Sequence, residues 1–505
     1  MCDANSVLPD SKSDQGTEPS GESKNQDVSK EDDEEDAVQH KSLHSSCSTI
    51  VDEAEQNDVV NVDMMTSDLP RDLENDFVAA TTELENEDSV LDSEEWKAKE
   101  KHIFILSSSG KPVYSRHGSE DKLVTLFGVM QALVSFVQDS DDTLESIHFG
   151  NNVIVFQIRG PIVLVAVSKK NDSVLFLRNM LEYVYNQVVS VLTLRQVTTI
   201  FERRRNYDLR RLLTGSERLI DHLLTFYETE PSLFMNGLAC IPMPSPQREA
   251  ISSVIVSTCS KIKNLVFAVL VANNRLIALA RKRKYSMCPS DLHLILNMVA
   301  ASESFKTAES WTPICLPQFN ANGFLHGHVS YLTEDCDACL LLLTVDQDIF
   351  FQLSEAKKKI TEKLTKNNLV SVINDVLKKP PSSWVSLHYI GVSKIRHFIY
   401  KCKKSQNILS SPLTPPYDTT DESRKLFTKY QNLYSKMFES NPQLQVLFQE
   451  SDEERVVCLI GEKFEVLAAL EPVIKKQSAL DLINKLCQWI QKEEDRFFIT
   501  NVPYL

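Results

Sequence analysis

The chain has 505 residues, 42% apolar and 25% charged, with a net charge of −16. That length suggests about three domains with their own cores. The 11 cysteines are scattered and odd in number, which fits a reduced cytosolic chain and argues against a disulfide framework. No apolar run is long enough to cross a membrane, and Met1–Asp14 carries acid where a signal peptide needs a basic start.

The charge is divided. Residues 1–95 hold 28 acidic and 5 basic residues, leaving 42 acidic and 49 basic for the rest. A Ser-rich acidic stretch with few aromatics cannot bury enough surface to offset chain entropy, so residues 1–95 read as a disordered tail. The run Glu31–Asp36 favours an extended, solvated segment. The tail is either a solubilising flank or a phosphorylatable arm that folds back on the basic body.

From Trp96 onward one pattern recurs three times: two short apolar strands, an amphipathic helix, three strands, a long helix. The first copy opens with His102–Leu106 and Lys111–Ser115. Ser119 then caps a helix to Gln138, and strands follow at Leu144–Phe149, Val153–Ile158 and Ile162–Val167. The helix Ser173–Leu192 closes this copy, which spans 96–194. Residues 195–260 are a helical insert or linker, with an Arg-rich stretch Phe201–Arg211 and an edge-strand candidate near Leu238–Met243.

The second copy, 261–378, opens with Leu265–Val271, Asn273–Asn274 and Leu276–Ala280. A helix Asp291–Phe305 follows, then strands near Thr312–Leu316, Phe324–Leu332 and Ala338–Val345, and helices Ile349–Lys366 and Val370–Leu377. The third copy, 379–505, has strands His397–Cys402 and Asn407–Ser410, then a helix Asp421–Phe438. Its strands Leu444–Gln449, Arg455–Ile460 and Phe464–Leu470 precede a last helix from Val473 to about Glu493. The spacing of the copies is that of domains and is too long for a solenoid.

The first helices differ. In the third copy Leu426, Phe427, Tyr430, Leu433, Tyr434, Met437 and Phe438 form one stripe opposite Thr428, Lys429, Asn432 and Lys436, a helix with a single buried face. In the first copy the stripe of Leu123, Leu126, Phe127, Met130, Leu133, Val134 and Val137 is opposed by Thr125, Val129, Ala132 and Phe136. This second face is also largely apolar and must meet another part of the chain or a separate subunit. Burying it beside a strand edge would extend the sheet across two chains.

Catalytic motifs are missing. Glycine is scarce, 13 of 505, and neither a P-loop nor a dinucleotide fingerprint occurs. No G-x-S-x-G or H-E-x-x-H is present, so no cofactor and no covalent chemistry are expected. His326, His328, Cys336 and Cys339 have zinc-type chemistry, but the spacing favours core filling over metal. The basic run Arg281, Lys282, Arg283 and Lys284 is either a solvated strand end or a contact for anionic lipid or an acidic partner. Without interleaved aromatics it does not read as a nucleic-acid site.

A strand pair, a helix, three strands and closing helices describe the longin module. The stretches LSSSGKPVYSRHGSED (Leu106–Asp121), LTLRQVTTIFERRRNYDLRRLLTGSE (Leu192–Glu217) and SWTPICLPQFNANGF (Ser310–Phe324) resemble the SAND family, the Mon-one subunit of the Mon–Ccz complex. The resemblance covers the body from about residue 100 onward. It implies an α/β (α+β) chain of three longin-like domains, each a five-stranded, mainly antiparallel sheet flanked by helices. It also implies pairing with a Ccz-type longin partner in a heteromeric guanine nucleotide exchange factor. The substrate would be the late-endosomal and vacuolar Rab GTPase, and the output endosome conversion and vacuole or lysosome fusion. An early-endosomal Rab and phosphoinositide membranes would recruit it, and a third subunit is expected in animals. The expected location is the cytoplasm, peripheral to endosome and vacuole or lysosome membranes. Trp311 is a candidate Rab contact, with a core aromatic as the alternative. The rival function is a non-catalytic longin-type adaptor or tether that prefers GTP-loaded Rab.

Overall fold

The computed structural model describes residues 93–505, apart from residues 171, 303 and 442. The tail therefore lies outside the described residues except for its last three. Two of those, Glu94 and Glu95, open a short helix Glu94–Lys97. Its Trp96 stacks on His102 with ring centroids 3.9 Å apart and donates its indole N–H to the His117 carbonyl at 3.1 Å. The folded body thus reaches two residues further toward the N-terminus than the sequence suggests.

Module one has strands β1 (Lys101–Ser107), β2 (Pro112–Ser115), β3 (Ser146–Phe149), β4 (Asn152–Arg159) and β5 (Ile162–Ser168). They form an antiparallel sheet in the order β2-β1-β5-β4-β3. Helix α1 (Val124–Gln138) lies on one face and α2 (Val174–Leu192) on the other. Ser119 makes no side-chain cap; a 3-10 turn, Glu120–Leu123, precedes α1 instead.

The stretch 195–260 is more than a linker. It carries α3 (Leu194–Arg203), α4 (Glu217–Thr229), the two-residue strand β6 (Leu238–Ala239) and α5 (Ser245–Cys259). Arg116 on module one holds Glu228 of α4 through two bonds, 2.8 and 3.1 Å, and the Tyr114 hydroxyl donates to Asp221.

Module two comprises β7 (Leu265–Ala272), β8 (Arg275–Arg281), α6 (Pro289–Ala301), β9 (Ser310–Ile314), β10 (Leu325–Tyr331), β11 (Cys339–Thr344), α7 (Phe350–Lys366) and α8 (Leu369–Leu377). Its sheet order, β8-β7-β11-β10-β9, repeats that of module one. Asn273 and Asn274 both have positive φ, 49° and 57°, as a tight two-residue hairpin turn requires.

Module three comprises β12 (Ile395–Cys402), β13 (Asn407–Ser410), α9 (Thr420–Glu439), β14 (Val446–Glu450), β15 (Arg455–Ile460), β16 (Phe464–Leu470) and α10 (Lys476–Lys492). Val473 falls in the loop before α10 rather than within the helix. The sheet has six strands, not the expected five: β14-β15-β16-β12-β13-β6. β6 joins in parallel from the insert and satisfies the outer edge of β13.

One hydrophobic core joins modules one and three. Ile103, Ile105, Val155 and Leu164 from the first sheet, and Ile399, Val456 and Leu467 from the third, bury against α2, α4 and α9. Helix α9 buries Gln431 and Ser435 as well as its apolar stripe, because it packs on α2 and α4 besides its own sheet. The buried face is therefore wider than the apolar stripe, while Thr428, Lys429, Asn432 and Lys436 opposite it are not buried. Module two buries one face against α5, α7 and α8 and the other against α6. The far face of the third sheet is covered by α10.

Helix α6 turns its polar residues toward module one and the insert. Asn297 donates to the Gln187 side chain at 2.8 Å and to the Leu219 carbonyl at 2.9 Å. His293 lies 2.9 Å from both the Tyr183 hydroxyl and the Gly237 carbonyl. A carbonyl only accepts, so Nε2 carries the proton and Nδ1 accepts from tyrosine. Burial lowers the His293 pKa to about 4. Among the described residues no helix is long and apolar enough to cross a membrane.

The segment 235–248 knits the modules together. The Leu238 amide donates to Gln406 O at 2.7 Å and the Ile241 amide to Leu276 O at 2.9 Å. Lys401 of module three donates to Met235 O at 2.7 Å. The buried Arg248 guanidinium donates to Ile277 O at 3.2 Å and to Ile241 O and Arg496 O, each at 3.0 Å. Arg248→Met should strand these carbonyls and destabilise the chain by at least about 3 kcal/mol in denaturant unfolding. The folded-state pKa of His293 is depressed, so its stabilisation is present above the unfolded value of 6.5 and is lost as pH falls toward about 4. Melting temperature should fall across that window, and less steeply in His293→Gln.

Candidate functional site

Helix α1 buries only Phe127, Met130 and Val134, beneath which lie Phe104, Phe156 and Val165 of the first sheet. Its other side is open. Thr125 and Ala132 are exposed, Val129 is half-buried, and Phe136 is 56% exposed. The structure adds Val124, 51% exposed, and Gly128, whose Cβ position has nothing within 4 Å. Val124, Gly128, Ala132 and Phe136 recur every four residues and so share one side of the helix. That spacing is present in the sequence, but glycine is no apolar marker and hides it. A glycine within an exposed helix costs about 1 kcal/mol relative to alanine, yet here it leaves a shallow notch in an apolar stripe.

The equivalent helices are covered. α6 is buried on both sides, against its own sheet and against α2 and α4. α9 is held between its sheet and the same two helices. Among the described residues, α1 alone of the three has an apolar second face with no cover.

The free strand edges differ in the same sense. β3, β9 and β14 are the outer strands at the ends of their sheets opposite β2, β8 and β6. β9 contains Pro313, which lacks an N–H to donate. β14 ends in Glu450, which engages Arg455 at 3.1 Å and Lys476 at 3.3 Å. β3, Ser-Ile-His-Phe, has neither proline nor a charged side chain, and its Phe149 is 47% exposed. Proline and charge are the usual guards against strand addition, and β3 lacks both.

The basic run splits. The Arg281 guanidinium donates to the carbonyls of Arg283 and Tyr285 and lies 5.1 Å from the Tyr504 ring. Its backbone pairs with Pro503 and Leu505 of the C-terminal segment. Lys282 is half-buried, and only Arg283 and Lys284 are exposed. Two of the four cations therefore belong to a capped strand end.

Trp311 is half-buried on the outer strand β9, stacked on His326 at 5.7 Å and beside Phe350 at 5.8 Å. Its neighbour Phe351 is largely exposed. His328 is buried and donates from Nε2 to Glu309 at 3.1 Å. Burial lowers the His328 pKa, with the Glu309 carboxylate opposing the shift. Burial raises the Glu309 carboxyl, but hydrogen bonds from Ser354 and His328 outweigh it and hold the pKa below its usual value. Cys336 packs in the core on one face of the second sheet and Cys339 in the core on the other. Alternation along the strands puts Cys339 on the face opposite His326 and His328, Cys336 lies in the loop before β11, and among the described residues no three His, Cys, Asp or Glu side chains gather to hold a metal.

Three family models match in order. Residues 101–223 match the first longin domain of FUZ, MON1 and HPS1, residues 263–362 the second and residues 394–494 the third. The chain is 40% identical to vacuolar fusion protein MON1 homolog A of Gallus gallus over 415 residues, covering 82% of this chain and 74% of the relative. It is 40% identical to protein SAND of Takifugu rubripes over 410 residues, 81% and 78% of the two chains. Identity to MON1 homolog B of Mus musculus is 34% over 429 residues, 81% and 76%.

The two sides of α1 should respond oppositely to mutation. Phe127→Ala removes a fully buried ring and should cost about 3–5 kcal/mol. Phe136→Asp should stay within about 0.5 kcal/mol of wild type. Chemical unfolding of both variants checks this.

Proposed function

The chain belongs to the MON1 (SAND) family of triple-longin trafficking proteins, and on that premise we propose that it is one half of a heteromeric guanine nucleotide exchange factor. The partner is a Ccz-type chain with a longin module of its own. It docks on Thr125, Val129, Ala132 and Phe136, together with Val124 and Gly128, and continues the sheet from β3. The observation that carries this reading is the uncovered apolar face of α1 beside an unguarded strand edge. The equivalent faces of α6 and α9 are already occupied. Small residues at Gly128 and Ala132 would let a second helix approach closely.

The substrate in this reading is the Rab GTPase of late endosomes and vacuoles. Exchange requires no covalent step. The complex binds the nucleotide-free GTPase better than the loaded one, and the coupling is reciprocal: GTPase binding weakens nucleotide binding. Accelerating release a thousandfold takes about 4 kcal/mol of such preference. A composite sheet and helix pair from two chains offers a wide, rigid surface on which to hold the switch segments away from the nucleotide. Trp311, half-buried on a separate sheet edge and packed on His326 and Phe350, is a second candidate Rab contact in this reading. The location is the cytoplasmic side of endosome and vacuole or lysosome membranes, with phosphoinositide lipids and a third subunit as further partners.

Release of a fluorescent nucleotide from the late-endosomal Rab tests the activity. The co-expressed complex should accelerate release at least about a hundredfold, which corresponds to about 2.7 kcal/mol. No acceleration by an intact complex rejects the exchange reading, and tighter binding to GTP-loaded than to empty Rab supports an adaptor. Phe136→Asp should abolish co-purification of the partner. Gly128→Leu should weaken co-purification while raising the thermal stability of the isolated chain, since leucine favours helix over glycine. If Gly128→Leu stabilises the chain and the partner still binds at full strength, the notch is not a contact.

A further inference from the structure

His102 is 1% exposed, and among the described residues no donor or acceptor reaches either of its ring nitrogens. A neutral imidazole carries one N–H donor and one acceptor, so its burial here leaves both groups unmet. The other fully buried histidines differ: His293, His328 and His397 each bond through at least one ring nitrogen. On β1, His102 shares a face with Phe104 and Leu106, the face on which α1 packs. Its ring lies parallel to Phe104 at 6.1 Å and edge-on to His117 at 5.6 Å. Trp96, itself half-buried, covers it with a stack at 3.9 Å.

That cover is light. Trp96 belongs to the four-residue helix Glu94–Lys97, in which no residue is buried and no side chain caps the N-terminus. A single helical turn has little stability of its own. It is attached through the indole N–H on His117 O and through the Lys169 ammonium, which donates to Lys97 O and lies 5.8 Å from the Trp96 ring. The groups that act on His102 are basic: Lys169 after β5, Arg116 and His117 after β2, and Lys99 before β1. Arg116 is committed to Glu228, and Lys99 lies 3.9 Å from Glu95. Glu120 accepts from the Ser115 amide, and Glu100 engages Lys170, so neither carboxylate serves the His102 ring. Burial, then Lys169, His117, Arg116 and Lys99, lowers the His102 pKa from 6.5 to about 4.

We propose that Glu94–Lys97 is a strap that opens and closes over His102, and that a proton on His102 opens it. Closed, the strap shields only a neutral imidazole, because a cation there has basic neighbours and no counter-ion. Open, the ring reaches water and gains its hydrogen bonds and its proton together. The closed strap depresses the pKa, so closure is at full strength above 6.5 and weakens as pH falls toward about 4. Opening moves the point at which the acidic N-terminal stretch is tethered to the body, from Ser93 to Lys101 at the start of β1. It also uncovers part of the core beneath α1, against which Trp96 packs.

The chain has 4 tryptophans, so labelling the full chain with nitrogen-15 tryptophan gives few indole signals in NMR, and Trp96→Phe assigns that of Trp96. Exchange of its indole proton with solvent, corrected for the intrinsic rate at each pH, reads strap opening. The opening constant should rise about thirtyfold from pH 7.5 to pH 5. His102→Phe keeps an aromatic stack with nothing to titrate, and there the constant should stay level within about threefold. His117→Asn should keep the rise. Reciprocally, Trp96→Ala should move the titration of the His102 ring up from about 4 toward 6.5. No rise in the wild type overturns the proposal, as does a full rise in His102→Phe or its loss in His117→Asn. An equal rise at Trp384 and Trp489 also overturns it, by marking opening of the whole chain. A His102 titration that Trp96→Ala leaves unmoved does the same, with no change at the buried position.

Discussion

The three modules depend on one stretch of chain, 235–248, which lies between two sheets and satisfies the edges of both. Its first residues pair with β13, and Cys240 forms a parallel bridge with Leu276 of β8. Arg248 completes the seam. A guanidinium buried without a carboxylate partner is costly unless its donors are used. Here the two terminal nitrogens reach three carbonyls, from the insert, from β8 and from the C-terminal segment, and only the buried Nε has no partner. One side chain thus ties together parts of the chain that are far apart in sequence. Without the backbone of residues 238–241, β13 and β8 would each present an unpaired edge to the other.

That arrangement explains why a single helix face is left open. Helices α2 and α4 form a slab against which the first and third sheets bury. Helix α6 reaches the same slab through Asn297, His293 and the buried Leu294. Two of the three first helices are therefore used inside the chain. Helix α1 lies on the far side of the first sheet, away from the slab, and cannot be covered in the same way. The uncovered face is a consequence of how three copies of one module share a single helical layer.

The sequence disclosed the repeat, the succession of strands and helices within each copy and the two-sided character of α1, because these are carried by local periodicity. Phe136, Ala132 and Thr125 stand exposed on that helix. What periodicity cannot disclose is which distant segment completes an edge. β6 is two residues long, and its pairing with β13 has no local signature. The same limit explains the third copy's first helix. Gln431 and Ser435 look like solvent-facing residues, but they are buried because α2 and α4 arrive from another module. Arg281 illustrates the reverse error. It looks like a free cation in a run of four, yet its guanidinium is committed to backbone carbonyls and the Tyr504 ring.

The parallel pairing of β6 with β13 also bears on how the chain is made. β6 leaves the ribosome well before β13, and by then module two has been synthesised around it. The edge that β13 pairs with is therefore already in the chain when β13 is made. An excised third module would lack that strand, and a circular permutant opened in the insert between β6 and α5 would reverse the order in which the two strands are born.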